Sequence, residues 1–327
     1  MKIAFYTTKP YDRIWFEPLA EKYGMDITFL EAHCTPDTLR LAQGYDAICI
    51  FINDYINEAM IRQLCAMEIR AILLRSAGFN HVDVKAAKNR LKLLRVPSYS
   101  PEAVAEYATA LLLSVNRCIH RAYTRSRDFN MNINGLMGRD LHGKTAGIIG
   151  TGKIGQAMID ILRGFHMQIL AYDRYPNPSL PVDYVPLEEL FEKSHVISLH
   201  CPLTSETKHI INDAAIEKMK DGVYIINSSR GGLVDTNALL SGLLSRKIGG
   251  VGLDVYEEEE GIFYEDLSHT IVKDNTLARL MTFPNVIITS HMGFFTREAM
   301  QAIAIETLEN AYALEHGLEL KNEVREA

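Results

Sequence analysis

The stretch TAGIIGTGKIGQAMIDILRGFHMQILAYD, residues 145–173, decides the fold. An apolar run, Thr145–Ile149, leads into Gly150-Thr151-Gly152-Lys153-Ile154-Gly155, a GxGxxG turn, and a helix-like segment follows. The next strand-like run, Gln168–Tyr172, closes on Asp173. This is the strand–turn–helix–strand order in which such a turn holds a dinucleotide, with an acidic residue at the end of the second strand. The first glycine allows the tight turn, the second lets backbone approach the pyrophosphate, and the third lets helix and strand pack closely. The phosphates then meet the open amides of a helix N-terminus. Asp173 would accept hydrogen bonds from the adenosine ribose and repel a 2′-phosphate, which favours NAD over NADP. Arg174, next in the chain, is the residue there that could instead serve a phosphate.

A second pattern competes with the first. Gly138-Arg139-Asp140-Leu141-His142-Gly143-Lys144-Thr145 satisfies GxxxxGK[ST] letter for letter. A real phosphate loop follows a strand and opens a helix; this one precedes a strand, so the match is accidental.

Outward from the fingerprint, short apolar runs alternate with segments of helical period. Met1–Tyr6, Asp26–Leu30, Ala47–Phe51 and Ala71–Leu74 form one strand series. Thr145–Ile149, Gln168–Tyr172, Val196–Leu199, Val223–Asn227, Gly250–Val255 and Val286–Thr289 form another. Alternation of this kind predicts α/β architecture with doubly wound parallel sheets. Between the series, Pro101–Thr124 reads as one long helix, and Arg297–Gly317 as a last helix free to return to the first domain.

The chain has 327 residues, enough for two domains. Its net charge of −7 leaves no electrostatic footprint for nucleic acid or an anionic membrane. The five cysteines are scattered, never CxxC, so neither a disulfide framework nor a metal site is expected. MKIAFYTTKP carries no apolar signal core, and no stretch is apolar for long enough to span a bilayer. A cytoplasmic protein with no membrane or nucleic-acid partner is the expectation.

Three further segments each sit just past a strand of the second series. Arg230 follows in NSSRGG, carboxylates follow in GLDVYEEEE, and His291 follows in SHMG. Strand C-terminal ends are where doubly wound sheets bind ligands. Hydride transfer to a 2-keto acid wants this set. Arginine supplies a forked cation that never loses its charge, and histidine supplies a proton near neutral pH. A carboxylate hydrogen-bonded to a histidine helps to keep it protonated.

These segments, with the fingerprint, resemble the D-2-hydroxyacid dehydrogenase family, and within it the bacterial fermentative D-lactate enzymes. The family sets an SRG arginine, a glutamate and a histidine at fixed intervals along the chain, and Arg230, Glu259 and His291 meet both intervals here. Other ordered matches are LRSAGFNHVD, VPSYSPEAVAEYA, NRCIHRAYTRSRDFN, VISLHCPLT and LDVYEEEEGIF. The resemblance implies a Rossmann NAD-binding domain of residues 101–296. It also implies a flavodoxin-like substrate domain of residues 1–100 plus 297–327, and a cleft that closes between the two. It implies NAD contacts at Gly150, Gly152, Lys153, Ile154, Gly155, Asp173, Cys201, Pro202, Thr207, Ser228, Ser229, Arg230 and Asp254. It places substrate against Ala77, Gly78, Tyr99, Arg230 and Phe294, with Arg230, Glu259 and His291 catalytic. It further implies NADH-dependent reduction of pyruvate to D-lactate by a homo-oligomer, a dimer or tetramer.

One position departs from the family. Its lactate enzymes commonly carry alanine at the second position after the histidine, where this chain has Gly293. A lost methyl group there would enlarge the pocket, so a bulkier 2-keto acid such as phenylpyruvate or 4-methyl-2-oxovalerate is the alternative substrate. An NADH-sensing binding protein of the same fold is the remote alternative, opposed by the intact triad and the lack of basic patches.

Overall fold

Strands covered on both faces read as unbroken apolar runs, and every residue of Ala47–Ile50 and Ala71–Leu74 is buried. The structure, a computed structural model, describes residues 1–324. It divides into two units, one of Met1–Ser100 with Phe295–Ala327 and one of Pro101–Phe294.

The first unit holds β1 (Lys2–Phe5), β2 (Asp26–Phe29), β3 (Ala47–Ile50), β4 (Ala71–Leu74) and β5 (Lys92–Leu94). They pair in the order β2-β1-β3-β4-β5, all parallel, which is the flavodoxin-like order. The helix Arg297–Glu315 returns to this unit, where the Asn310 amide donates to the Arg95 carbonyl at 2.9 Å. The unit's border falls at Phe295 rather than at the expected Arg297. Thr296 caps that helix through the Ala299 amide, and Phe295 packs edge-on to Tyr11, so both go with the first unit.

The second unit holds β6 (Thr145–Ile149), β7 (Gln168–Tyr172), β8 (Asp183–Tyr184), β9 (Val196–Leu199), β10 (Val223–Asn227), β11 (Ile248–Leu253) and β12 (Val286–Ile288). Their order is β12-β11-β10-β9-β6-β7-β8, again parallel throughout. The chain runs outward from β6 to β8, then crosses back to β9. The carboxyl ends of β6 and β9 therefore flank the topological switch point, where ligands enter such sheets.

Three elements differ from expectation. Pro101–Thr124 is not one helix: Pro101–Asn116 ends, Cys118 adopts a left-handed φ of 51°, and Ile119–Arg127 starts anew. The buried Asn116 side chain explains the stop, since it donates to the Arg139 carbonyl at 2.8 Å and accepts the Arg139 amide at 3.1 Å. The edge strands β5 and β8 went unforeseen because such short segments carry too little periodicity to read. Among the described residues no helix is long and apolar enough to cross a membrane.

Candidate active site

The fingerprint turn lies between β6 and the helix Lys153–Gly164. Gly150 has φ 95°, and a Cβ there would stand 2.5 Å from the Cys201 amide nitrogen. A Cβ on Gly155 would stand 2.0 Å from the Gly150 carbonyl oxygen, so helix and turn close on each other through the missing side chain. A Cβ on Gly152 would meet nothing within 4 Å, and no side chain caps the helix at that residue. The amides of the first turn thus face open space that a side chain would fill, the geometry of an anion cradle. Asp173 stands beside it, accepting the Thr151 amide at 2.7 Å and the Thr151 hydroxyl at 3.1 Å on Oδ2. His200 lies under the same turn, and burial pushes it down to about 4, so it adds no positive charge there.

The loops after β9 and β10 are joined: the Ser229 hydroxyl donates to the Cys201 carbonyl at 2.7 Å. Burial pushes the Cys201 thiol up to about 11, so it stays protonated. Thr207 closes its own loop, its hydroxyl donating to the Pro202 carbonyl at 2.6 Å and accepting the Thr204 amide at 2.8 Å. The Ser228 hydroxyl is buried and has no partner among the described residues, a group left for a ligand to satisfy. The glycine cradle, the carboxylate at the end of β7 and the orphaned hydroxyl together fit NAD.

Past the next strands, Arg230, Glu259 and His291 stand on the loops that follow the adjacent strands β10, β11 and β12, and Glu259 and His291 are in contact. Buried Asn227 shapes the arginine's turn, accepting the Ser229 amide at 3.0 Å and donating to the Arg230 carbonyl at 2.8 Å. The Arg230 guanidinium donates to the Ser229 carbonyl at 2.7 Å. Gly231 then presses on the following loop: a Cβ there would stand 2.0 Å from the Tyr256 carbonyl carbon and 2.4 Å from the Glu257 amide nitrogen. That contact sets the arginine's turn against the loop of the acidic run. Within the run, Glu257 turns to His209 at 2.5 Å, while Glu259 Oε1 meets His291 Nδ1 at 3.0 Å. The other Glu259 oxygen accepts the Tyr256 amide at 3.0 Å, so the carboxylate is held from its own loop. With Nδ1 engaged, Nε2 is the nitrogen left to exchange a proton with substrate.

His291 itself has φ 53°, a left-handed conformation uncommon outside glycine. Buried Asp254 imposes it, accepting the Thr289 hydroxyl at 2.6 Å, the Met292 amide at 3.0 Å and the Gly293 amide at 2.7 Å. The Asp254 carbonyl takes the His291 amide at 2.7 Å, and the Tyr264 hydroxyl donates to the His291 carbonyl at 2.7 Å. Sequence reading overlooked Asn227, Thr289 and Tyr264 as organisers: nothing local marks the distant partners of Thr289 and Tyr264, and Asn227 was read only as the end of its strand.

Residues 109–293 match the family model for the NAD-binding domain of D-isomer specific 2-hydroxyacid dehydrogenases. The chain belongs to that family. A 2-hydroxyacid dehydrogenase homolog of Haemophilus influenzae is 48% identical over 98% of each chain. The D-lactate dehydrogenase of Escherichia coli is 47% identical over 99% of this chain and 100% of its own. The solved pyruvate reductase of Chlamydomonas reinhardtii superposes with a TM-score of 0.92 at 38% identity, covering 98% of both. The second unit of this dehydrogenase is accordingly its NAD-binding unit.

Gly293 takes on a different meaning in the dehydrogenase than its sequence suggested. A Cβ there would stand 3.0 Å from Asp254 Oδ2 and 3.6 Å from the Tyr107 ring. The added methyl would press on the carboxylate that shapes the histidine turn, so the expectation of extra pocket volume is not supported. Gly293→Ala is therefore expected to lower kcat/KM for small and large keto acids alike, and to cost about 1–3 kcal/mol of stability from overpacking. A keto-acid panel with thermal melts checks this; a selective loss of large substrates would restore the volume argument.

In the first unit, Ala77 and Gly78 follow β4 on a turn where the Ser76 hydroxyl donates to the Gly78 carbonyl at 2.8 Å and Arg95 donates to the Ala77 carbonyl at 3.1 Å. Among the described residues neither the Ala77 nor the Gly78 amide donates to a protein acceptor. Tyr99 is half-buried and Phe294 buried.

Proposed function

We propose that the enzyme reduces pyruvate to D-lactate with NADH and catalyses the reverse oxidation. The Glu259–His291 contact at 3.0 Å, on strand ends beside the Arg230 turn, carries the reading. Its likeness to a D-lactate dehydrogenase and to a pyruvate reductase supports pyruvate and D-lactate as the substrate pair. NADH supplies a hydride to the ketone carbon. His291 Nε2 gives its proton to the ketone oxygen, and Glu259 orients the ring and stabilises its charge. Arg230 holds the substrate carboxylate and polarises the ketone. The free Ala77 and Gly78 amides bind the carboxylate, and Tyr99 and Phe294 line the substrate pocket. Gly150, Gly152, Lys153, Ile154 and Gly155 cradle the pyrophosphate, and Asp173 takes the ribose hydroxyls. Cys201, Pro202, Thr207, Ser228, Ser229 and Asp254 complete the NAD site, the last three through the loops that carry the catalytic groups.

Steady-state oxidation of NADH by pyruvate, with chiral analysis of the lactate, tests the proposal. Pyruvate is expected to lead a panel that includes 2-oxobutyrate and phenylpyruvate. If phenylpyruvate leads, the substrate assignment falls while the enzyme class stands. Asp173→Ala is expected to weaken NADH and to improve NADPH relative to it, read as kcat/KM for each. A wild type that already prefers NADPH would overturn the role given to Asp173.

The enzyme works as a homo-oligomer in this reading. Phe129, Ile133 and Met137, on the segment after the helix Ile119–Arg127, are 88%, 80% and 95% exposed, an apolar surface suited to a second copy. Light scattering is expected to give at least a dimer. Five unpaired cysteines support a reducing, cytoplasmic location.

A further inference from the structure

Arg174 is the residue that the fingerprint leaves without a task. Asp173 is turned inward, its Oδ2 on Thr151 and its Oδ1 accepting the Tyr175 amide at 2.9 Å. Arg174 points along the surface instead. Its guanidinium lies over the Tyr175 ring, 5.5 Å from the centroid, and Nη1 is ion-paired with Glu206 Oε2. Glu206 belongs to the loop after β9, the loop that Thr204 and Thr207 close on themselves. In the sheet β6 lies between β9 and β7. The Arg174–Glu206 pair therefore bridges the two strand ends that flank the fingerprint turn.

We propose that Glu206 is a second determinant of cofactor choice, holding Arg174 away from a 2′-phosphate and adding its own charge to that of Asp173. The proposal rests on the reading of Asp173 as the ribose-facing residue. An arginine beside that carboxylate is the natural partner of a 2′-phosphate, which it would grip with two parallel hydrogen bonds. Here it would have to leave Glu206, whose carboxylate would stay nearby and repel the incoming dianion. Both partners of the pair are more than half exposed, so the bond itself holds weakly. The selectivity comes from charge. Asp173, Arg174 and Glu206 sum to one negative charge; Glu206→Gln makes the group neutral, and Asp173→Ala with Glu206→Gln makes it positive.

Titrating NADH and NADPH by fluorescence without keto acid tests this on binding alone. In Glu206→Gln the ratio of NADPH Kd to NADH Kd is expected to fall about five-fold, one unit charge acting on a phosphate through water. Adding Asp173→Ala is expected to lower it further. In Arg174→Ala with Glu206→Gln the gain is expected to vanish, because the cation that uses the phosphate is gone. An unchanged ratio in Glu206→Gln, or a gain that survives without Arg174, overturns the proposal. Asp173→Ala alone reports separately: if it leaves the ratio untouched, the ribose reading has failed, whatever Glu206 does.

Discussion

Arg230→Lys is expected to lower kcat/KM for pyruvate by roughly 30- to 1,000-fold, a loss of about 2–4 kcal/mol of transition-state stabilisation, by analogy with removing an oxyanion donor. Charge is conserved, so the loss would come from geometry. A guanidinium presents a planar fork to two oxygens at once, whereas an ammonium is a point charge on a flexible stem. The backbone that carries the fork is fixed, since Asn227 holds the turn from both sides and Gly231 presses it against the Tyr256–Glu257 backbone. A lysine would inherit the fixed turn without the reach of the second nitrogen. Steady-state kinetics with pyruvate and NADH, beside the NADH Kd, separate the two possible losses. Near-normal kcat/KM in the variant would show that Arg230 does not anchor the substrate.

Glu259→Gln is expected to lower kcat/KM for pyruvate by roughly 100-fold or more, the scale on which a positioned general acid contributes. The loss follows from how the carboxylate is held. One Glu259 oxygen meets His291 Nδ1 at 3.0 Å and the other accepts the Tyr256 amide at 3.0 Å. Glutamine has one oxygen for these two tasks. In one setting its NH2 group faces the Tyr256 N–H, donor against donor; in the other it faces Nδ1, which must then accept. Either way the ring loses the contact that orients Nε2. The NADH Kd is expected to stay near that of the wild type, because Glu259 lies outside the fingerprint turn. Steady-state kinetics beside NADH titration check the pairing. Near-normal kcat/KM in the variant would reject it.

Much of this arrangement was written in local pattern. The three fingerprint glycines, the strand before them and Asp173 beyond them are all within one βαβ unit, where neighbours in sequence are neighbours in space. Unbroken apolar runs such as AICI and TAGII can be satisfied only by strands with both faces covered, so parallel sheets follow from composition and spacing. Arg230 and His291 were legible because each stands just past such a run, and Glu259 from its interval in the family pattern.

Tertiary structure alone decided what depends on side chains meeting across loops. The acidic run offers four glutamates, and only loop conformation sends Glu257 to His209 and Glu259 to His291. The same holds for Asp254, which takes its donors from the distant turn of Thr289, Met292 and Gly293. Gly293 read as an enlarged pocket because its missing methyl had no direction in sequence; the backbone aims that methyl at Asp254. Arg174 read as a possible phosphate ligand, and only the fold shows Glu206, from another loop, holding it. Periodicity carries information about which face a residue lies on, but a loop has no period. Its pairings are set by the strand order that brings separate loops to one sheet edge, and that order exists only in the folded chain.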